Sequence, residues 1–249
     1  METADLILNY FIRTLPALIV CAWFIFFLGK GHVIIRIFAY LFVFVVMRDV
    51  MTPLKFWRLG SEGLFWLRTI DNPVALNVLS ILSILSMSLL ILFDKEASET
   101  FVFRKGSLVN VLASGIGGAI CIALPMFVIY QFVPIVHRGG PTELGLASIG
   151  ALLVFCLSVN FLEEGLYRGF FQGYMERTVP PARAAILSGL LFGLSHTFLA
   201  ITVSDAGWGV VAFTSFEGII AGFVRARAGV IASTITHGLA IFPLCAGLF

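Results

Sequence analysis

Glu163 and Glu164 are adjacent carboxylates inside an otherwise apolar stretch, VFCLSVNFLEEGLYRGFF from Val154 to Phe171, which also carries Arg168. An ionisable side chain at bilayer depth costs about 2.5–3.5 kcal/mol on insertion scales, so it marks function by default and needs partners in neighbouring helices. Later apolar runs contain His196, Glu217 and His237. Carboxylates and imidazoles in a water-poor layer suit two chemistries. In one, Glu163 and His196 orient a water against a carbonyl while His237 donates to the developing oxyanion. In the other, Glu163, His196 and His237 hold a divalent metal such as zinc, which activates the water. The HExxH arrangement of zinc proteases is absent. Ser195 adjoins His196 but, as its immediate neighbour on a helix, points to another face.

Helix geometry tests whether these groups can meet. With Pro180 as the turn, Glu164 and His196 each lie about 16 residues away, at roughly 24 Å by the helical rise. An antiparallel hairpin therefore puts both in one layer. From the later turn near Ala228, His237 lies at roughly 14 Å and Glu217 at a similar height. His237 is thus expected to be shallower than His196, with helix tilt able to bring it closer. Glu164 and Arg168 are four apart and share a face; Glu163 points about 100° away and is the freer base. A structural ion pair is the competing reading of Glu164 and Arg168. Glu217 reads as a supporting group.

The surrounding elements are membrane helices. The chain of 249 residues is 59% hydrophobic and 12% charged, against roughly 25% charged in soluble domains. Its net charge of +2 gives no case for a nucleic-acid partner. The four cysteines are scattered without a CxxC, so neither a disulfide framework nor a zinc knuckle is indicated. About eight spans fit: 15–28, 33–47, 74–93, 108–133, 144–177, 184–203, 208–224 and 230–248. Residues 1–143 read as accessory transmembrane helices, with an interfacial segment near 52–69. Its interleaved Lys55, Arg58, Arg68 and aromatic residues suit a helix at the lipid–water boundary, or an aromatic-rich loop. Arg138-Gly139-Gly140-Pro141 reads as a turn. Residues 144–249, rich in glycine at four-residue spacing, read as a close-packed four-helix core. Arg177, Arg183, Arg225 and Arg227 place two turns of this core in the cytoplasm by the positive-inside rule. With eight spans, the basic Lys55–Arg68 segment then falls on the opposite side.

Glu163-Glu164-x-x-x-Arg168, Phe192-x-x-x-His196 and His237 together resemble the CPBP family of intramembrane proteases. That family includes CAAX prenyl-protein endopeptidases and bacteriocin-processing or self-immunity proteins. The resemblance covers roughly residues 144–249. It implies membrane helices around a conical, water-accessible cavity. It also implies Glu163 as the general base acting with His196, Glu164 and Arg168 holding the geometry, His237 at the oxyanion, and Phe192 packed beside His196. One position departs. The family often has Asn four residues after the last histidine, and here it is Ile241; Asn160 is the candidate replacement amide.

The expectation is an all-α, polytopic membrane endopeptidase with no cofactor favoured and zinc as the alternative. Its partners would be the bilayer and a membrane-anchored substrate: a prenylated tail, a leader peptide or a C-terminal sorting tail. A bacterial inner membrane is the expected location. The competing classes are a non-catalytic immunity or binding protein, and an ion or proton pathway built from the same charges.

Overall fold

The computed structural model describes residues 3–28, 32–60, 66–132, 144–204 and 207–248. In chain order the elements are α1 (Thr3–Leu28), α2 (Val33–Met51), β1 (Trp57–Gly60), β2 (Trp66–Thr69), α3 (Pro73–Phe93), α4 (Lys95–Ser98), α5 (Leu108–Gln131) and α6 (Leu146–Glu164). A π-helical stretch, Gly165–Gln172, continues α6 into the short α7 (Gly173–Met175). Then follow α8 (Pro181–Leu194), a second π stretch (Leu199–Val203), α9 (Trp208–Ala228) and α10 (Val230–Cys245). The Arg138–Pro141 turn lies outside the described residues.

The fold is all-α and polytopic. Among the described residues six helical segments are long and apolar enough to cross a membrane, the longest being Leu146–Met175. α10 is shorter, at 16 residues, and α2 carries Arg36, Arg48 and Asp49 among its buried residues. These two and the six long segments lie where the eight spans are expected, except that α1 begins at Thr3, well before the first expected span. Apolar side chains such as Leu112, Ile116, Ile120 and Leu124 cover the outward face of α5. An outward apolar face is stable in a hydrocarbon solvent, where helices satisfy their own backbone groups.

Local signals set the helix ends. Asn72 caps α3, its side chain accepting from the Ala75 N–H, and Ser107 caps α5 through the Asn110 N–H. Pro181 opens α8 at a position where its missing N–H has no helical partner to lose. Gly229, with φ of 92°, joins α9 to α10, a conformation that favours glycine.

Close packing of α8 on α9 rests on absent side chains. A Cβ on Gly218 would meet the Gly189 Cα at 3.0 Å, and one on Gly222 would meet the Ala185 Cα at 3.0 Å. This is the small-residue contact expected of membrane helices. The core reaches beyond the four expected helices, however. α5 packs on α9 and α10, and α3 on α6. Thr236 donates to the Gly115 carbonyl of α5 at 3.0 Å.

The described residues of segment 52–69 form no helix. Trp57 to Gly60 pairs antiparallel with Trp66 to Thr69. The alternation of Trp57, Leu59 and Leu67 with Arg58 and Arg68 has strand period, and strand pairing wins over the amphipathic-helix reading. Arg68 is buried at 2% exposure, and its Nη1 donates to the Leu244 carbonyl at 2.9 Å. It therefore ties the hairpin to the end of α10 remote from Arg225 and Arg227, rather than presenting a charge at the membrane surface.

Candidate active site

Four helices bring their charged residues to one layer. α6 ends in Glu163 and Glu164, α9 supplies Glu217, α10 supplies His237, and the turn after α8 supplies His196. All five are buried.

Glu164 and Arg168 form the expected i, i+4 pair, Oε2 to Nε at 3.3 Å, both side chains fully buried. Arg168 is held on two further sides. Its Nη2 donates to the Gly218 carbonyl at 2.9 Å, and its guanidinium lies 4.6 Å from the Phe192 ring centroid. Gln172, one turn on, repeats the first contact by donating to the Gly222 carbonyl at 3.0 Å. The π stretch that carries Arg168 and Gln172 is thus locked against α9.

His237 stands between three carboxylates. Its Nδ1 lies 3.0 Å from Glu164 Oε1. Its Nε2 lies 3.9 Å from Glu163 Oε2 and 3.6 Å from Glu217 Oε1. A carboxylate only accepts, so Nδ1 carries a proton toward Glu164 and fixes the ring. Glu163 Oε1 and both Glu217 oxygens have no hydrogen-bond partner among the described residues.

The imidazole that meets the glutamates is not the one expected. His237, read as the shallower imidazole, is the one in contact with the glutamates. His196 is linked to them indirectly: Phe192 packs 4.7 Å from the His196 ring and 5.3 Å from the His237 ring. The π stretch explains the difference. It winds more residues into each turn than an α-helix, so counting α-helical rise from Pro180 places the glutamates too far along the axis.

His196 has both ring nitrogens occupied. Nδ1 lies 2.9 Å from the Phe192 carbonyl, which only accepts, so Nδ1 carries the proton and Nε2 is the acceptor in the neutral ring. Nε2 lies 3.0 Å from Nη1 of Arg48. Arg48, near the end of α2, is buried and was not among the candidates read from the sequence. Its Nη2 donates to the Ser195 carbonyl at 2.8 Å, its Nε to Asp49 Oδ1 at 2.8 Å, and its Nη1 lies 3.9 Å from Glu163 Oε1. A basic residue at the end of an apolar run usually faces the headgroups. The one available signal was Asp49 beside it, a built-in counter-ion.

A cavity of about 110 Å³ joins these groups, room for a few waters. Arg48, Asn160, Glu163, His196, Thr214, Glu217 and His237 are its polar lining, with Ile241 and the hairpin's Trp57, Leu59 and Leu67 among the apolar lining. Asn160 donates to the Cys156 carbonyl at 2.6 Å. A larger apolar cavity of about 390 Å³ lies between α1, α2, α3 and α6 and shares Phe44, Arg48, Trp57 and Val159 with the first. Among the described residues no three His, Cys, Asp or Glu side chains are placed to hold a metal ion.

Residues 145–242 match the family model described as Rce1-like type II CAAX prenyl endopeptidase. No curated protein and no solved structure matches the chain.

Proposed function

Through that segment the chain belongs to the CPBP family, whose Rce1-like members are CAAX-type intramembrane proteases, and from this premise we propose that it hydrolyses a peptide bond of a membrane-anchored protein using a Glu163-activated water. It is an integral, multi-pass membrane protein, so its substrate is drawn from the bilayer or its surface. The observation that carries the reading is Glu163. It is buried, faces a cavity with room for water, and has one carboxylate oxygen without a hydrogen-bond partner.

In the proposed reaction Glu163 takes a proton from the water as its oxygen bonds to the carbonyl carbon. The carbonyl π pair moves to oxygen, to which the Nε2–H of a doubly protonated His237 and the uncommitted hydrogen of the Asn160 amide, both in the same cavity, can donate. The C–N bond then breaks as the C=O re-forms, and the amine leaves with the proton held by Glu163. Glu164 orients His237 through Nδ1, and Arg168 holds Glu164. The expected sharing of the water between Glu163 and His196 needs His196 Nε2, which here accepts from Arg48. The geometry therefore supports Glu163 as the base and His196 as the group that orients Arg48. The donor set does not fit a metal, because neither nitrogen of His196 is free, and no step is routed through one.

The test uses protein purified in detergent and peptides carrying a lipid or transmembrane anchor, comparing wild type with Glu163→Gln and His196→Ala. Loss of cleavage in Glu163→Gln, with wild-type activity insensitive to chelators, supports this reading. Proton flux that Glu163→Gln abolishes, with no cleavage by wild type, would replace it with a translocation pathway.

A further inference from the structure

We propose that Arg48, contributed from outside the family-matched segment, is a catalytic residue that donates an N–H to the carbonyl oxygen of the scissile bond as it becomes an oxyanion. This rests on the peptidase reading above. An oxyanion needs a donor, preferably cationic, whose hydrogen is not already committed. Few groups lining the catalytic cavity qualify. Glu163 and Glu217 are acceptors when ionised. His196 has one nitrogen on the Phe192 carbonyl and the other accepting from Arg48. Asn160 has one amide hydrogen on Cys156 and carries no charge. His237 is held on Nδ1 by Glu164, and its Nε2 carries a hydrogen only in the doubly protonated ring, where Glu163 and Glu217 compete for it, so it is a shared donor that a second one would complement.

Arg48 is the permanent cation of this lining, and its hydrogens can be followed one by one. A guanidinium has five. Nε–H goes to Asp49. Nη2 lies 2.8 Å from Asp49 Oδ1 and donates to Ser195. Nη1 uses one hydrogen on His196 Nε2. The second Nη1 hydrogen has no acceptor within hydrogen-bond distance among the described residues, and Glu163 Oε1 lies 3.9 Å from Nη1. A free, charged donor thus stands beside the proposed base, on the wall of the same cavity. Three fixed partners, Asp49, Ser195 and His196, hold it there, so little reorganisation is needed when negative charge forms. This also gives His196 a role that fits its occupied nitrogens: it is a positioning residue for Arg48.

The experiment uses the full chain in detergent with an anchored peptide and a peptidyl phosphonate of the same sequence, a mimic of the tetrahedral intermediate. Arg48→Ala and Arg48→Gln should lower kcat by about 100- to 1,000-fold, the range for loss of one oxyanion donor, with KM changed only a few-fold. Phosphonate affinity should fall by a similar factor and substrate affinity should not. Added guanidinium should restore part of the Arg48→Ala activity, and Arg48→Lys should keep more activity than Arg48→Gln. Full kcat in Arg48→Gln beside an inactive Glu163→Gln would overturn the role of Arg48 while leaving the peptidase reading intact. So would a loss of kcat with unchanged phosphonate affinity and no guanidinium rescue, which marks a structural arginine. Wild-type protein that cleaves no anchored peptide would overturn both readings together.

Discussion

α2 carries two buried arginines about three helical turns apart, and their surroundings differ in a telling way. Near its start, Arg36 meets Asp94 through two hydrogen bonds of 2.8 and 2.9 Å and Glu96 at 2.7 Å, while Tyr40 donates to the same Asp94 at 2.8 Å. Asp94 also caps α4 by accepting from Ala97. Each charge in this clamp has a short, well-directed partner. Near the other end, Arg48 faces groups that are only partly paired: Glu163 at 3.9 Å, and beyond it the Glu163–His237 and Glu217–His237 contacts of 3.9 and 3.6 Å. A buried polar group without a partner is destabilising by roughly 1–3 kcal/mol, more if charged. The clamp shows that this fold can pair buried charges well. Leaving Glu163 and Glu217 under-paired is therefore a property of the second site, and it is the pattern expected where a substrate supplies the missing partners.

Mutations should separate the two clusters by what they damage. The largest effect is expected for Glu163→Gln: a loss of roughly 10²–10⁴ in kcat, with the unfolding temperature in detergent equal to or above wild type, since an under-paired charge has been removed. A collapse of folding instead would move Glu163 into the same class as Asp94. Next comes His237→Gln, expected to lower kcat about 100-fold; a purely structural histidine would alter the unfolding temperature and leave turnover of the folded fraction untouched. Asn160→Ala should lower kcat about tenfold, as the loss of a neutral donor that already has one hydrogen committed; wild-type turnover would remove Asn160 from the oxyanion site.

The clamp should answer in the opposite sense. Asp94→Ala is expected to lower stability by roughly 1–3 kcal/mol and leave kcat of the folded protein unchanged, read by thermal unfolding alongside turnover. Its pH dependence has a definite sign. Burial pushes the Asp94 carboxyl upward, but hydrogen bonds from Arg36, Tyr40 and the Ala97 N–H outweigh it and hold it below its ordinary value. Its contribution is therefore fully present above about pH 4 and is lost as pH falls through the lowered folded-state value. Unfolding temperature should lose part of its acid-side slope in Asp94→Ala. An unchanged slope would show that the clamp contributes nothing measurable, and the contrast between the two ends of α2 would fail.

Much of the site was legible because charge inside apolar sequence is conspicuous. Glu163, Glu164, Arg168, Glu217, His196 and His237 each interrupt a run of hydrophobic residues, and the Glu164–Arg168 spacing gave their pairing directly. What escaped were features whose local signal has an ordinary meaning. Arg48 sits where membrane helices commonly end in a basic residue, and its one local signal, the adjacent Asp49, does not name the residue far along the chain that it meets. The hairpin was hidden for a similar reason: aromatic and basic residues suit an interfacial helix as well as a strand, and only the two-residue period of Trp57, Leu59 and Leu67 distinguishes them. That His237, rather than His196, meets the glutamates was not legible, because π winding cannot be read from composition.

The π stretch from Gly165 to Gln172 has one more consequence. A helix is a screw, and changing its pitch over a few residues changes the phase of everything on one side relative to the other. Glu163 and Glu164 lie on the α-helical side of this change, and Arg168 and Gln172 lie within it, keyed to the carbonyls of Gly218 and Gly222. The stretch therefore works as a vernier, setting the rotation of the two carboxylates about the α6 axis by reference to α9. Chain length in this segment is consequently fixed more tightly than side-chain identity: adding or removing one residue would rotate the glutamates by roughly a quarter of a turn while leaving the hydrophobic pattern nearly intact.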